Sequence, residues 1–331
     1  MPDLIRRGLL GLGSTLLALA LTPATAQAAS TWPHARAVRM IVPYPAGGGV
    51  DTAARLIAAQ LTTQTGQRFV VDNRSGAAGA IGAQAVVGSQ ADGYTVLFAS
   101  PAEVLVGGIA GQSLPYHPAR DLQPVTLAGE SPLAVVVHPD VPAHDLQALL
   151  TLASQAPEPL PYGTPGAGST MHFAGAALSL AAGVPLTHVP YRGAAPAIAD
   201  LLGGQIPMAV VGVAPLMAHH RQGKLRILAL TGSERLAALP DVPTVAQALG
   251  QADFRYTNWF GVYLPAATAA DVTQRLAGEI ARAVDQPELA SRLAELGVTP
   301  IGNTPQAFLA FLQSERARYQ AVQRQTGLNM D

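Results

Sequence analysis

The chain has 331 residues, enough for about two domains, and 49% of them are hydrophobic while 12% are charged. With a formal net charge of −1 and a single lysine, it lacks the clustered positive charge that nucleic acid binding requires. Because it contains no cysteine, disulfide bonds, a thiol nucleophile and a cysteine metal site are excluded.

The N-terminus has the pattern of a secretory signal peptide. Arg6 and Arg7 precede an apolar run over residues 8–21, and the small residues Ala26-Gln27-Ala28 follow. A charged start, an apolar centre and an A-x-A ending predict that residues 1–28 are cleaved off during export. The apolar run is short for a membrane helix, which needs about 20 residues. Export by the Sec route and by the twin-arginine route both remain open.

A glycine-rich turn separates the first predicted strand, residues 38–43, from the first predicted helix, residues 51–64. A strand, such a turn and a helix N-terminus present free backbone N–H groups to an anion. The alternative is a tight turn that holds no ligand. Asp51 is expected to cap the helix, because a carboxylate facing inward would repel an anion. The predicted ligand contacts in this turn are Tyr44, Pro45, Ala46, Gly47 and Gly48.

Strands and helices alternate after this turn, with a strand at residues 68–72, a helix at 80–87 and a strand at 95–99. The alternation predicts an α/β fold with a parallel, doubly wound sheet. Ligands of such sheets bind at the carboxyl ends of the strands. Ser100 follows its strand directly, as Tyr44 does, so its hydroxyl is predicted to face the same ligand.

A second unit of strand, glycine-rich turn and helix occurs in the middle of the chain. The strand covers residues 160–163, and the helix that follows the turn ends near residue 182. Two glycines free the backbone of this turn, and the helix N-terminus adds partial positive charge. The predicted ligand contacts in this second turn are Thr164, Gly166, Gly168, Ser169 and Thr170.

The remaining elements are predicted from hydrophobic periodicity. The predicted strands lie at residues 133–137, 187–189, 208–211, 225–230 and 259–264. The predicted helices lie at residues 146–154, 269–284 and 305–326, with a further helix ending at residue 202. Two sheet-containing halves, each with a turn suited to an anion, predict a ligand cleft between them.

His172 lies three residues after Ser169, on the same helix face. A serine nucleophile with a histidine base would make an exported hydrolase, but the G-x-S-x-G elbow is missing and no acid partner can be assigned. We therefore expect His172 to lie behind the turn. Tyr191 and Gly193 are predicted to face the ligand, while Arg192 either pairs with a second carboxylate or stays on the exposed rim.

No metal or cofactor is predicted. The histidines do not show metal-ligand spacing with a carboxylate. The glycine runs lack the lysine of a phosphate-binding loop and the fingerprint of a dinucleotide site.

The motifs together resemble one family, the Bug family of periplasmic substrate-binding proteins of the tripartite tricarboxylate transporter system. The resemblance covers essentially the whole chain after the signal peptide. It is carried by the segments at residues 43–51, 71–76, 92–94, 166–172, 189–193, 201–205, 223–226, 239–244 and 259–261. Their order and spacing, rather than any single segment, make the resemblance specific.

The resemblance implies a two-domain Venus flytrap of the type II periplasmic binding protein kind. It implies a discontinuous domain I, residues 29–130 plus 251–331, and a domain II of residues 131–250. A small organic acid would be held between the lobes in the periplasm and delivered to a membrane permease with a large and a small subunit. A monomer with no catalytic residues is expected. The same fold acting as a ligand sensor for a membrane kinase stays an alternative.

One departure from the family pattern concerns the ligand. Many relatives carry acidic residues after the turn that ends at Gln205, where this chain has Pro207 and Gly212. Such a carboxylate would pair with a ligand ammonium group. Its absence predicts a carboxylate ligand without an amine.

Overall fold

A computed structural model describes residues 32–329. The predicted signal peptide, residues 1–28, lies outside the described residues. The strands are β1 (Val38–Val42), β2 (Phe69–Asn73), β3 (Thr95–Ala99), β4 (Leu122–Val137), β5 (Leu160–Thr164), β6 (Leu186–Pro190), β7 (Met208–Gly212), β8 (Arg226–Leu230), β9 (Thr257–Pro265) and β10 (Thr299–Pro300).

The helices cover both faces of the strands. They are α1 (Gly49–Thr65), α2 (Ala80–Val87), α3 (Gly107–Ile109), α4 (Pro118–Asp121), α5 (Leu146–Gln155), α6 (Thr170–Ala182), α7 (Ala194–Leu202), α8 (Met217–Arg221), α9 (Val245–Leu249), α10 (Ala270–Val284), α11 (Pro287–Glu295) and α12 (Pro305–Thr326). A π-helical turn, Ala102–Val106, follows β3. The α/β prediction is confirmed. Within residues 32–329, none of the helices has the length and apolar character that a membrane span requires.

The strands form two sheets that share β4. The order along the hydrogen-bonded path is β2-β1-β3-β9-β4-β7-β5-β6, and β8 and β10 also pair with β4. The first part of β4, up to Pro132, pairs with β9 in the first sheet. From Leu133 onward, β4 pairs with β7 and β8 in the second sheet. One strand therefore passes from one sheet into the other, and the limits of the two predicted domains stay a prediction.

The strand directions place the carboxyl ends of both sheets opposite each other. In the first sheet β1, β2 and β3 are parallel, and β4 runs in their direction because β9 is antiparallel to both β3 and β4. In the second sheet β5, β6 and β7 are parallel to one another, and β7 is antiparallel to β4. The carboxyl ends of the second sheet thus point back toward the first.

The pairing register fixes the distance between these ends. Ala99 ends β3 and pairs with Gly261, which in turn pairs with Leu127 of β4. Gly212 ends β7 and pairs with Leu133, six residues further along β4. Six residues of strand span roughly 20 Å. We call this space between the two sets of strand ends the cleft.

The central strands are buried on both faces, as parallel strands under helices are. Val38 and Met40 pack with α1 and α10 on one side of the first sheet. Ile41, which alternates with them, packs on the other side. On that second side α12 contacts both β4 and α6, and Tyr319 of α12 packs edge-on against Phe173 of α6 at 5.2 Å. The last helix of the chain is therefore bound to a helix of the second sheet.

Candidate functional site

The first turn, residues 43–48, is held from behind by Asp51. Asp51 is 2% exposed and accepts the backbone N–H of Gly47 at 2.8 Å and the amide of Asn73 at 2.8 Å. Arg55 donates to the same carboxylate at 2.9 Å. Burial favours a higher pKa for Asp51, but these three hydrogen bonds outweigh it and lower the pKa below its ordinary value. Asp51 is thus a charged support of the turn.

The backbone N–H groups that remain free to bind an anion at this turn lie at the N-terminus of α1. Gly48 is the N-cap of α1, so the first helical residues are Gly49 and Val50. Amides at these positions have no acceptor inside a helix. Gly47 has φ of 86°, a left-handed conformation that favours glycine, and its own N–H is already used by Asp51.

The second turn, residues 165–169, is built in the same way. Ser169 is the N-cap of α6: its Oγ accepts the N–H of His172 at 3.2 Å and donates to the carbonyl of Gly166 at 2.7 Å. The N–H of Gly168 is donated to Nδ1 of His172 at 3.2 Å. The free amides of this second helix start are those of Thr170 and Met171.

Two neutral histidines support this second turn. The rings of His172 and His188 stack at 3.6 Å, and Nε2 of His188 lies 2.6 Å from Oγ1 of the buried Thr164. Burial, with the neighbouring His188, lowers the pKa of His172 to about 3. Burial lowers the pKa of His188 to about 4. Because Nδ1 of His172 must accept a hydrogen bond, its neutral form is the one that fits. His172 lies behind the turn.

The segment after β6 lies against the second turn. Tyr191 donates its N–H to the carbonyl of Thr164 at 2.9 Å, and Gly193 donates to that of Pro165 at 3.0 Å. The Tyr191 hydroxyl donates to Asp200 at 2.8 Å. Arg192 is exposed. These bonds use the N–H groups of Tyr191 and Gly193 inside the protein.

Tyr44 and Ser100 meet at the carboxyl ends of β1 and β3, as their positions predict. Their hydroxyl oxygens are 2.6 Å apart. Both contact Glu103, a residue that the sequence interpretation did not single out. Oε2 of Glu103 accepts from Tyr44 at 2.7 Å and from Ser100 at 2.8 Å, while Oε1 accepts the N–H of Ser100 at 2.7 Å. The sequence signal for Glu103 is a single carboxylate inside an otherwise apolar run, residues 101–106.

The predicted site residues therefore differ in their solvent exposure. Exposed positions are Pro45, Ala46, Gly47 and Gly48, whereas Ser100, Thr164, Gly168 and Thr170 are buried and Tyr44, Gly166, Ser169, Tyr191 and Gly193 are intermediate. Ligand contact by each of these residues stays a prediction. The side chains of Ser169 and His172 each bond to backbone rather than to each other, which is not the geometry of a nucleophile and its base.

The two positions considered for a ligand amine lie at opposite ends of β7. Pro207 precedes the strand, and its carbonyl accepts the N–H of His138. Gly212 ends the strand beside Leu133, on the cleft side. A Cβ atom at Gly212 would meet nothing within 4 Å. Of the two positions, 212 lies on the cleft side, because the carboxyl end of β7 lies there.

The fold and the two facing helix starts are those of a two-lobe solute-binding protein. Residues 53–328 match the profile of the tripartite tricarboxylate transporter family receptor. The chain belongs to this family. The predicted resemblance and the two-lobe periplasmic binding protein fold are thereby confirmed. The family is one of substrate-binding receptors and not of enzymes, which removes the hydrolase alternative.

Relatives of known name or structure cover nearly the whole chain. Protein BugT of Bordetella pertussis is 36% identical over 91% of this chain and 92% of its own. A solved structure of an R. palustris protein with adipate is 33% identical, covers 90% of this chain and 99% of that one, and has a TM-score of 0.80. MatC from Rhodopseudomonas palustris with bound malate is 29% identical, covers 87% and 99%, and has a TM-score of 0.73.

Proposed function

We propose that this protein is a periplasmic receptor that captures a small organic carboxylate without an ammonium group. The acid binds in the cleft, the two lobes close on it, and the monomeric receptor delivers it to a membrane permease of the tripartite tricarboxylate type. Removal of residues 1–28 during export places the protein in the periplasm.

The observation that carries this proposal is the pair of helix starts at the cleft. Helix α1 begins behind the first turn, and α6 begins behind the second. Each N-terminus offers unpaired N–H groups and partial positive charge to an anion. The N–H groups of Gly47 and Gly168 are bound within the protein. We therefore assign the anion contacts to the amides of Gly49 and Val50 on one side.

The matching amides on the other side are those of Thr170 and Met171. A ligand with one carboxylate at each helix start would use both lobes at once. The relatives solved with adipate and with malate hold dicarboxylates, and a dicarboxylate fits this assignment. Position 212, the cleft-side end of β7, carries a glycine, so the cleft has no carboxylate there to pair with an amine.

A thermal-shift screen of residues 29–331 tests the ligand class. The acids are adipate, malate and succinate, compared with glutamate and aspartate at equal concentration. At about 100 times its Kd, a ligand adds roughly 2.7 kcal/mol to the free energy of unfolding. We expect the plain acids to raise the Tm and the amino acids to leave it unchanged. Stabilisation by the amino acids alone would contradict the proposal.

A charge placed in the first helix start tests the site. Gly49 is exposed, and an added Cβ would meet nothing within 4 Å. Gly49→Asp should leave the fold intact and abolish the Tm shift by repelling the anion. Gly278→Asp is the matched control, because Gly278 is an exposed helical glycine with equally open surroundings. If both variants keep the full shift, the ligand does not bind at α1.

Delivery to a permease is tested in cells. Uptake of the labelled acid found in the screen is compared between cells with and without the coding sequence of this receptor. Loss of uptake, restored by wild type and not by Gly49→Asp, supports delivery. Unchanged uptake with loss of an acid-dependent transcriptional response would instead support the sensor alternative.

A further inference from the structure

Glu103 is a buried carboxyl group without a cation. It lies in the π-helical turn after β3 and is 0% exposed. No ion pair joins it to a basic residue within residues 32–329. Its hydrogen-bonding partners, Tyr44 and Ser100, are the two residues at the strand ends beside the first turn. A buried carboxylate with no positive partner is costly, so its charge state needs a physical account.

The oxygen atoms around Glu103 show how many protons the cluster holds. Oη of Tyr44, Oγ of Ser100 and Oε2 of Glu103 form a triangle with sides of 2.6, 2.7 and 2.8 Å. Each side is a hydrogen-bond distance and therefore requires one proton. The two hydroxyl groups supply two protons. An ionised Glu103 would leave one side as two lone pairs facing each other at close range.

A third proton closes the triangle. With the proton on Oε2, Glu103 donates to Tyr44, Tyr44 donates to Ser100, and Ser100 donates to Glu103. Oε1 still accepts the N–H of Ser100 at 2.7 Å. We infer that Glu103 holds a proton in the ligand-free protein, and that binding of a carboxylate anion at the first turn retains or takes up this proton.

The link to the ligand runs through Tyr44. Tyr44 lies on the first turn and is intermediate in exposure as a residue, whereas Ser100 and Glu103 are buried. When Tyr44 turns its hydroxyl proton from Ser100 toward a ligand carboxylate, a protonated Glu103 continues to donate to the Tyr44 oxygen. An ionised Glu103 cannot do so, and it would place a second negative charge beside the ligand. Anion binding thus favours the protonated form.

Three tyrosines interact electrostatically with Glu103, namely Tyr44, Tyr116 and Tyr263. Tyr116 donates its hydroxyl to the main-chain carbonyl of Glu103 at 2.7 Å. Tyr263 of β9 is buried nearby, and burial together with the Glu103 charge raises its pKa well above the ordinary value. The backbone of Gly79 packs against the side chain of Glu103. Burial raises the pKa of Glu103 to about 7, although the hydrogen bonds from Tyr44 and Ser100 oppose the rise.

The inference rests on the proposed function, so the experiment has a ligand-free arm and a ligand arm. In the ligand-free arm, the Tm of wild type and of Glu103→Gln is measured from pH 4.5 to 8.5. The amide of glutamine keeps the shape and the third proton but cannot ionise. We expect wild type to lose Tm relative to Glu103→Gln as the pH rises toward 7. A constant difference over this range would overturn the inference, whatever the ligand.

In the ligand arm, adipate is the probe and calorimetry is done between pH 6.5 and 8.5, where ordinary carboxylic acids are fully ionised. For wild type we expect Kd to rise above pH 7 by up to tenfold per pH unit. Binding heats in phosphate and Tris should differ by the uptake of up to one proton per adipate. For Glu103→Gln the Kd and heats should be independent of pH and buffer.

Glu279→Gln is the matched control. Glu279 lies on α10, accepts from Gln64 at 2.7 Å and is remote from the strand ends of the cleft. This variant should keep the wild-type pH dependence. Adipate binding that is tight and independent of pH in wild type would overturn the inference and leave the proposed function standing. If the folded protein binds neither adipate nor any other acid of the panel, the proposed function fails, and the link to ligand binding fails with it.

Discussion

The carboxylate of Asp51 accepts the backbone N–H of Gly47 at 2.8 Å. One of the amides in the first turn is thereby directed away from the cleft. The buried charge of Asp51, in the first turn of α1, shapes this loop, and in our proposal the anion binds the amides of Gly49 and Val50 that follow. The N–H group of Gly47 is therefore used to fix the shape of the turn.

We expect Asp51→Asn to destabilise the protein by about 1–3 kcal/mol at pH 7, because one of its two oxygens becomes an NH2 group that faces a donor, either Asn73 at Oδ1 or Gly47 and Arg55 at Oδ2. Urea unfolding measures this difference. The native pKa of Asp51 is lowered, so its contribution is present above the ordinary pKa of aspartate and is lost as the pH falls through the native pKa. The difference between wild type and variant should therefore shrink toward pH 3.

Asp72→Asn is the control for this prediction. Asp72 pairs with Arg39 and Arg74, and its side chain is 36% exposed. Exposed ion pairs contribute about 0–1 kcal/mol. Equal effects of the two substitutions would contradict the supporting role of Asp51.

The histidine pair should remain neutral through the physiological range. The pKa values of His172 and His188 are lowered to about 3 and about 4 by burial. NMR titration of the ring protons, assigned with His172→Gln and His188→Gln, should show no midpoint above pH 5. Because the unfolded chain binds these protons near pH 6.5 and the folded protein does not, stability should fall as the pH drops below 6.5. A midpoint above pH 6 for His172 would contradict the Gly168 hydrogen bond.

Local signals were sufficient for some elements and insufficient for others. Helix α12 has the predicted limits because Thr304 caps it, Pro305 occupies its first position and Gly327 ends it. The prediction missed α11 and the first part of β4. Pro124 and Pro132 argue against a strand, yet β4 accommodates Pro124 beside a shift in the register with β9. The pairing of β4 with β9 is a tertiary contact, and no local sequence pattern indicates it.

The same distinction applies to the site. The rim shared by Tyr44 and Ser100 follows from two strand ends and was predicted. Which N–H groups remain free could not be predicted, because it depends on side chains folding back from Asp51 and His172. The position of Glu103 depends on a π-helical turn of five residues. A segment of this length is too short for a hydrophobic periodicity that would reveal the turn from the sequence.

Position 212 should control the response to ligand amines. Gly212 is not in the left-handed region, and an added Cβ would be unobstructed. Gly212→Asp should weaken the binding of adipate through like-charge repulsion and create measurable affinity for glutamate or aspartate. Calorimetry with both ligand classes measures this change. Gly212→Asn, equal in size but uncharged, should not show the gain, and a gain in both variants would mean that charge is not the cause.

Arg255 should be the most sensitive charged residue outside the cleft. It precedes β9 and pairs with Glu130 of β4 and, at 3.1 Å, with Glu315 of α12. Glu315 is 0% exposed and also contacts Arg318. Loss of Arg255 leaves Glu315 with Arg318 as its remaining partner, so the cost is at most that of a fully uncompensated buried charge, about 3–5 kcal/mol. We expect Arg255→Met to lower the free energy of unfolding by about 2–4 kcal/mol at pH 7.5.

The pH dependence of this loss identifies its cause. Burial raises the pKa of Glu315, while the charges of Arg318 and Arg255 hold it down. Without Arg255 the pKa rises further, so protonation at pH 5 should recover part of the lost stability. Adding Glu315→Gln should recover part of it at pH 7.5 as well. Arg36→Met, which removes an exposed pair with Asp92, is the control and should change stability by about 0–1 kcal/mol. If Arg255→Met is as mild as that control, the ion pairs with Glu130 and Glu315 do not stabilise the junction of β4, β9 and α12.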